Sequence, residues 1–67
     1  MKLRQLEYLV EVVRQGLNVT EAARVLHSSQ PGISSQIKSL EEELGFPVFV
    51  RQGRHLADLT DAGRDIL

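Results

Sequence analysis

One stretch of the chain concentrates side chains able to do chemistry: Ser28-Ser29-Gln30-Pro31-Gly32-Ile33-Ser34-Ser35-Gln36-Ile37-Lys38. Hydroxyls, carboxamides and an ammonium share it, a set suited to hydrogen bonding and charge recognition. The serines have no nearby base and orienting acid, so nucleophilic catalysis lacks its parts and no catalytic residue is assigned. His27 and His55 stand far apart, with no second His or Cys at ligand spacing beside either, so no metal site is assigned. A basic pair, Arg51 and Arg54, brackets a second candidate feature, a turn around Gly53.

These residues need elements to hold them. Ile33, Ile37, Leu40 and Leu44 recur at helical spacing through the polar stretch, which predicts a helix with an apolar inside and a small, polar outside. Ser29 is its N-cap, Gln30 and Pro31 lie in the first turn where a missing amide hydrogen costs nothing, and Gly45 stops it. Pro31, Ser35, Lys38 and Glu42 then point outward, flanked by Gln30 and Ser34.

Upstream, Leu3, Leu6, Leu9, Val10 and Val13 predict an amphipathic helix from Leu3 to Gly16, with Arg4, Glu7, Glu11 and Arg14 turned to water. Asn18 or Thr20 caps a short second helix, roughly Glu21 to His27, and Glu21 is the reciprocal partner if Asn18 is the cap. Its apolar content is Ala22, Ala23, Val25 and Leu26, and the paired alanines imply a closely approaching helix. His27 falls in the following tight turn, and His is among the few non-glycine residues enriched in left-handed backbone. Downstream, Val48 to Arg51 suits a short strand and His55 to Leu59 a returning one. Thr60 caps a further helix, with Asp61 placed against the positive end of its dipole.

The 67 residues suffice for one small domain, since a chain of about 60 residues buries only about 60% of its unfolded surface. There is no cysteine, so no disulfide or thiolate metal site staples it and no oxidising compartment is implied. Met1 to Gln5 turns polar too soon for a signal peptide, and no run approaches a transmembrane length, so a cytoplasmic protein with no membrane partner is expected. Eight Lys plus Arg against nine Asp plus Glu give a net charge of −1, which taken alone argues against a nucleic-acid binder. The charge is unevenly spread, however: Glu41, Glu42 and Glu43 form an acidic run, whereas Lys38, Arg51 and Arg54 have no acidic neighbour in sequence.

Two helices joined by a short turn, the second with a polar N-terminal half, make the helix-turn-helix pattern. Ala23 supplies its small residue, His27 its turn position and Ile33 the contact locking the second helix onto the first. The chain as a whole resembles the N-terminal domain of LysR-type transcriptional regulators. The matching residues are Leu3-Arg4-Gln5-Leu6, Ala22-Ala23, Ser29-Gln30-Pro31-Gly32-Ile33-Ser34, Leu40-Glu41-Glu42-Glu43-Leu44-Gly45, Phe49-Val50-Arg51 and Leu59-Thr60-Asp61-Ala62-Gly63. Within the family, Gly32 and the wing Arg51-Gln52-Gly53-Arg54-His55-Leu56 are most similar to the branch that activates cysteine-biosynthesis genes.

The resemblance implies a mainly α fold, a winged helix-turn-helix with a three-helix core, a two-stranded wing and the start of a linker helix. It divides the chain into a DNA-binding domain at 1–59, with the helix-turn-helix about 19–38, and the beginning of a linker or dimerisation helix at 60–67. That last helix is expected to continue in a longer parent protein, whose effector-binding domain is absent here. Double-stranded DNA, a homodimer formed through the linker helix and a tetramer at full length are the implied partners. No cofactor is implied for this domain; a small-molecule effector is implied for the absent one.

On this reading the helix about 30–44 enters the major groove N-terminus first, and the wing 51–55 reaches the adjacent backbone or minor groove. Gln30 is the candidate base reader, because a carboxamide pairs bidentately with adenine. Ser28 and Ser29 can cap the helix and touch phosphate together; Pro31, Ser34 and Ser35 complete the helix face. Many family members carry Arg or Lys where this chain has Ser35, which removes one phosphate contact. Lys38 suits a phosphate or deeper base contact, or simply solvent. Arg54 is expected at the DNA, while Arg51 either joins it or pairs with Glu41 across the domain. The acidic run lies at the helix end away from DNA. The alternative is a winged helix used for protein–protein contact, which the net charge keeps open; an enzyme is not expected.

Overall fold

A computed structural model describes residues 2–53 and 55–67. Among the described residues the elements run α1 (Leu3–Arg14), α2 (Val19–Val25), α3 (Gln30–Leu44), β1 (Phe49–Gln52), β2 (His55–Leu59) and α4 (Asp61–Ile66). This is the expected winged helix-turn-helix. The starts of α2, α3 and α4 are each set by a short polar side chain accepting from a backbone amide one turn on: Asn18 from Glu21, Ser29 from Gly32 and Thr60 from Gly63, at 3.0, 3.0 and 2.9 Å. Asn18 rather than Thr20 is therefore the cap of α2, which begins and ends two residues earlier than its sequence pattern implied. Glu21 does not reach back to the cap. Its carboxylate pairs with Arg24 at 2.9 Å, a charged partner one turn ahead.

The core is a single cluster: Leu9 and Val12 of α1, Ala22 and Ala23 of α2, Ile33, Ile37 and Leu40 of α3, then Val48 and Phe49 entering β1. The alanines are buried between helices, as their size demanded. His27 sits in the turn with φ 55°, the left-handed conformation that lets Ser28 donate its amide to the Ala23 carbonyl at 2.8 Å. Gly45 ends α3 at φ 82°, where any side chain would be strained.

The buried stripe of α1 differs from the apolar pattern. Leu3 is 73% exposed and Val10 41%, whereas Gln5 and Glu11 are buried beside Leu9 and Val12. Both polar groups are paired, which removes the cost of burying them. The Gln5 amide donates to the Gln36 side chain of α3 at 3.3 Å, and Glu11 accepts from Gln15 at 2.8 Å with Arg14 at 3.5 Å. Glu11 thus leaves the water-facing side expected for it. Val25, part of the apolar content of α2, is also exposed.

The two strands form an antiparallel ribbon pairing Phe49 with Leu59 and Gln52 with His55, with a register shift after Val50. Where the ribbon meets α4, Thr60 donates its backbone amide to the Val48 carbonyl at 2.9 Å and its hydroxyl to the Pro47 carbonyl at 2.7 Å. Gly63 packs against the same strand start. A Cβ there would come within 2.3 Å of the Val48 carbonyl oxygen, so only glycine permits the approach.

Candidate nucleic-acid interface

The polar stretch forms the outer surface of the first three turns of α3. Ile33, Ile37 and Leu40 bury the opposite side, and this leaves Ser28, Ser29, Gln30, Pro31, Ser35 and Lys38 exposed and Ser34 half-buried. Among the described residues, Ser35 and Lys38 have neither an ion pair nor a side-chain hydrogen bond. Gln30 does: its Nε2 donates to the Ser34 hydroxyl at 2.8 Å, one turn along the helix.

A groove runs beside this face, between the turn leading into α2, the first half of α3 and the wing. Asn18, Thr20, Gln30, Ser34, Arg51 and His55 line it with Ile37 and Leu56, and among the described residues no carboxylate does. A second depression continues it along α3 past Lys38 to Glu41 and Glu42. Hydroxyls, carboxamides, an imidazole and a guanidinium around an open, acid-free trough can donate to phosphate oxygens and to the edges of bases. Thr20 joins the groove although the sequence offered it as a cap that Asn18 takes, and His55 joins it from the wing expected at the DNA, without having been singled out as a contact.

Part of the acidic charge is taken up in ion pairs, with Glu11 on Arg14, Glu21 on Arg24, and both Asp58 and Asp61 on Arg64 at 3.0 and 3.2 Å, while Glu42 stays exposed one turn beyond Lys38.

Arg51 takes up the structural pairing that the sequence left open. Its Nη2 lies 3.0 Å from Glu41 Oε1, and the same carboxylate accepts from the backbone amides of Val48 at 2.7 Å and Phe49 at 3.3 Å. Glu41 is nearly buried, while the Arg51 side chain stays 44% exposed. A guanidinium has five donor hydrogens, so the ion pair orients Arg51 without exhausting it. Arg54 lies outside the described residues. His27, Ala23 and Ile33 occupy the turn, the inner face of α2 and the inner face of α3, as a helix-turn-helix requires.

Residues 3–64 match the family model described as "Bacterial regulatory helix-turn-helix protein, lysR family". The chain is 55% identical over its full length to the HTH-type transcriptional regulator CysB of Haemophilus influenzae. It is 48% identical over 98% of its length to the HTH-type transcriptional regulator SsuR of Burkholderia cenocepacia. It spans 21% of each of these relatives, about a fifth. Among solved structures, a CbnR_DBD–DNA complex superposes with a TM-score of 0.89 at 42% identity, covering 100% of this chain and 75% of that one. A BenM_DBD/catB site 1 DNA complex does so at 0.89 and 41%, covering 98% and 69%. No described helix is long and apolar enough to cross a membrane. With its helix-turn-helix, wing and caps in place and the family model covering nearly every residue, the chain belongs to the LysR family of bacterial regulatory helix-turn-helix proteins.

Proposed function

We propose that this domain binds double-stranded DNA in a sequence-specific way, with α3 in the major groove and the wing 51–55 at the adjacent backbone or minor groove. The observation that carries the reading is the acid-free groove along the exposed polar face of α3, closed on one side by the wing. The likeness to CbnR_DBD and BenM_DBD chains complexed with DNA supports it. Gln30 reads base edges, Ser28, Ser29 and Lys38 hold phosphate, Pro31 and Ser35 complete the exposed face, Ser34 lines the groove beside Gln30, and Arg51 and Arg54 anchor the wing. The domain is a binding module, not an enzyme. With Ser35 in place of a basic residue, the wing arginines and a second subunit carry much of the affinity.

The parent protein, on this proposal, is a cytoplasmic regulator of the kind exemplified by CysB and SsuR. The winged domain occupies 1–59, and residues 60–67 begin a helix that pairs two subunits, with tetramers at full length. A small-molecule effector binds in a C-terminal domain, and the winged domain itself needs no cofactor. The test is a gel-shift titration of the full-length protein against promoter fragments and random duplex at several salt concentrations. A preferred fragment and a log–log salt slope of about −0.9 per phosphate contact are expected. Equal binding to every duplex would overturn the proposal and favour a protein–protein role for the winged helix.

A further inference from the structure

The hydrogen bond from Gln30 to Ser34 restricts what Gln30 can recognise. A carboxamide carries two amide hydrogens and one oxygen. The Ser34 hydroxyl takes one of those hydrogens at 2.8 Å, leaving a single N–H and Oε1 to face outward. That remainder is one donor beside one acceptor, which complements the major-groove edge of adenine, an N7 acceptor beside an N6 donor. Guanine presents two acceptors there, N7 and O6, and would require both amide hydrogens. Gln30 is exposed in the free domain, where water competes for the bond. Excluding that water at a DNA surface strengthens the bond and raises the penalty for breaking it.

We infer that Ser34 is a positioning residue: it holds the Gln30 carboxamide in the orientation that accepts adenine and rejects guanine at the base pair beneath it. The inference rests on the DNA-binding reading above, with Gln30 as the base reader. It differs from a direct Ser34–DNA contact in one respect, namely that the effect of Ser34 passes wholly through Gln30. Ser34 lies inside α3, where alanine is the better helix former, so its replacement leaves the fold intact.

The test uses full-length protein and duplexes selected from a random pool, then altered at the one base pair whose preference Gln30→Ala abolishes. Ser34→Ala should lower the adenine-over-guanine preference at that pair by about three- to tenfold, the range of a single hydrogen bond, chiefly by improving relative binding of the guanine duplex. Ser34→Thr keeps the hydroxyl and should restore the preference. In a Gln30→Ala background, Ser34→Ala should change nothing further at that pair. Equal loss on both duplexes, or an undiminished effect without Gln30, would make Ser34 a direct contact and overturn the inference while DNA binding stands. If Gln30→Ala leaves every base preference intact, the inference falls because its reader is wrong. If the wild-type protein prefers no sequence at all, the function proposed above falls with it.

Discussion

The two halves of α3 use polar side chains in opposite ways. In the C-terminal half, Glu41 turns into the domain and its carboxylate accepts from two backbone amides and the Arg51 guanidinium, bolting the helix to the start of β1. In the N-terminal half, Gln30 and Ser34 satisfy one another at the surface, while Ser35 and, just past the midpoint, Lys38 are exposed. A single helix therefore carries both a structural joint and the surface proposed to recognise DNA. What separates them is whether another segment of the chain arrives to consume the hydrogen-bonding capacity.

The contrast is sharpest under mutation. Glu41→Ala strips the acceptor from two amides and the counter-ion from Arg51, and should cost about 3 kcal/mol of stability, a large share of the total for a domain this small. Urea unfolding would reveal it; an unchanged midpoint would remove the distinction between the halves. Gly63→Ala tests the same joint from α4 by forcing a methyl against the Val48 carbonyl, at an expected cost of about 2 kcal/mol in the same assay.

The recognition half should behave in reverse. Gln30→Ala is expected to lower preference for the best duplex by about ten- to a hundredfold while the unfolding midpoint stays put. Ser29→Ala lies on the border, since its hydroxyl both caps the helix and reaches the surface. It should cost about 1 kcal/mol of stability by orphaning the Gly32 amide, with a modest uniform loss of DNA affinity. The smallest change is expected at Lys38→Ala: affinity weakened alike for all duplexes, a salt slope shallower by about one, and stability unchanged.

The region of the recognition half was legible from the sequence because its signals are local. Ser29 before Gln30-Pro31, and isoleucines spaced around a turn of helix, specify the start and inner face of α3 without reference to distant residues. His27 announced its left-handed turn for the same reason, and Thr60 its cap. The less local features were read less well. On α1 the apolar residues Leu3 and Val10 suggested an inner face, yet Gln5 and Glu11 are buried instead, and Thr20 and His55 join the groove without a motif. Side-chain periodicity reports which way residues point around one helix axis. It does not report which neighbouring helix arrives there with a partner such as Gln36.

By itself, then, the sequence determined the order of the elements, the caps of α3 and α4, the turn at His27 and the polar outer face of α3, because short side-chain-to-backbone bonds and helical spacing act within a few residues. The tertiary structure alone gave Arg51 its ion pair by bringing Glu41 within 3.0 Å, and it gathered the α2 entry turn, α3 and the wing around one groove. It also showed why position 63 is glycine, where α4 meets the strand start too closely for a Cβ. Each of those outcomes depends on segments ten or more residues apart being packed against one core, and packing, unlike periodicity, is a property of the whole chain.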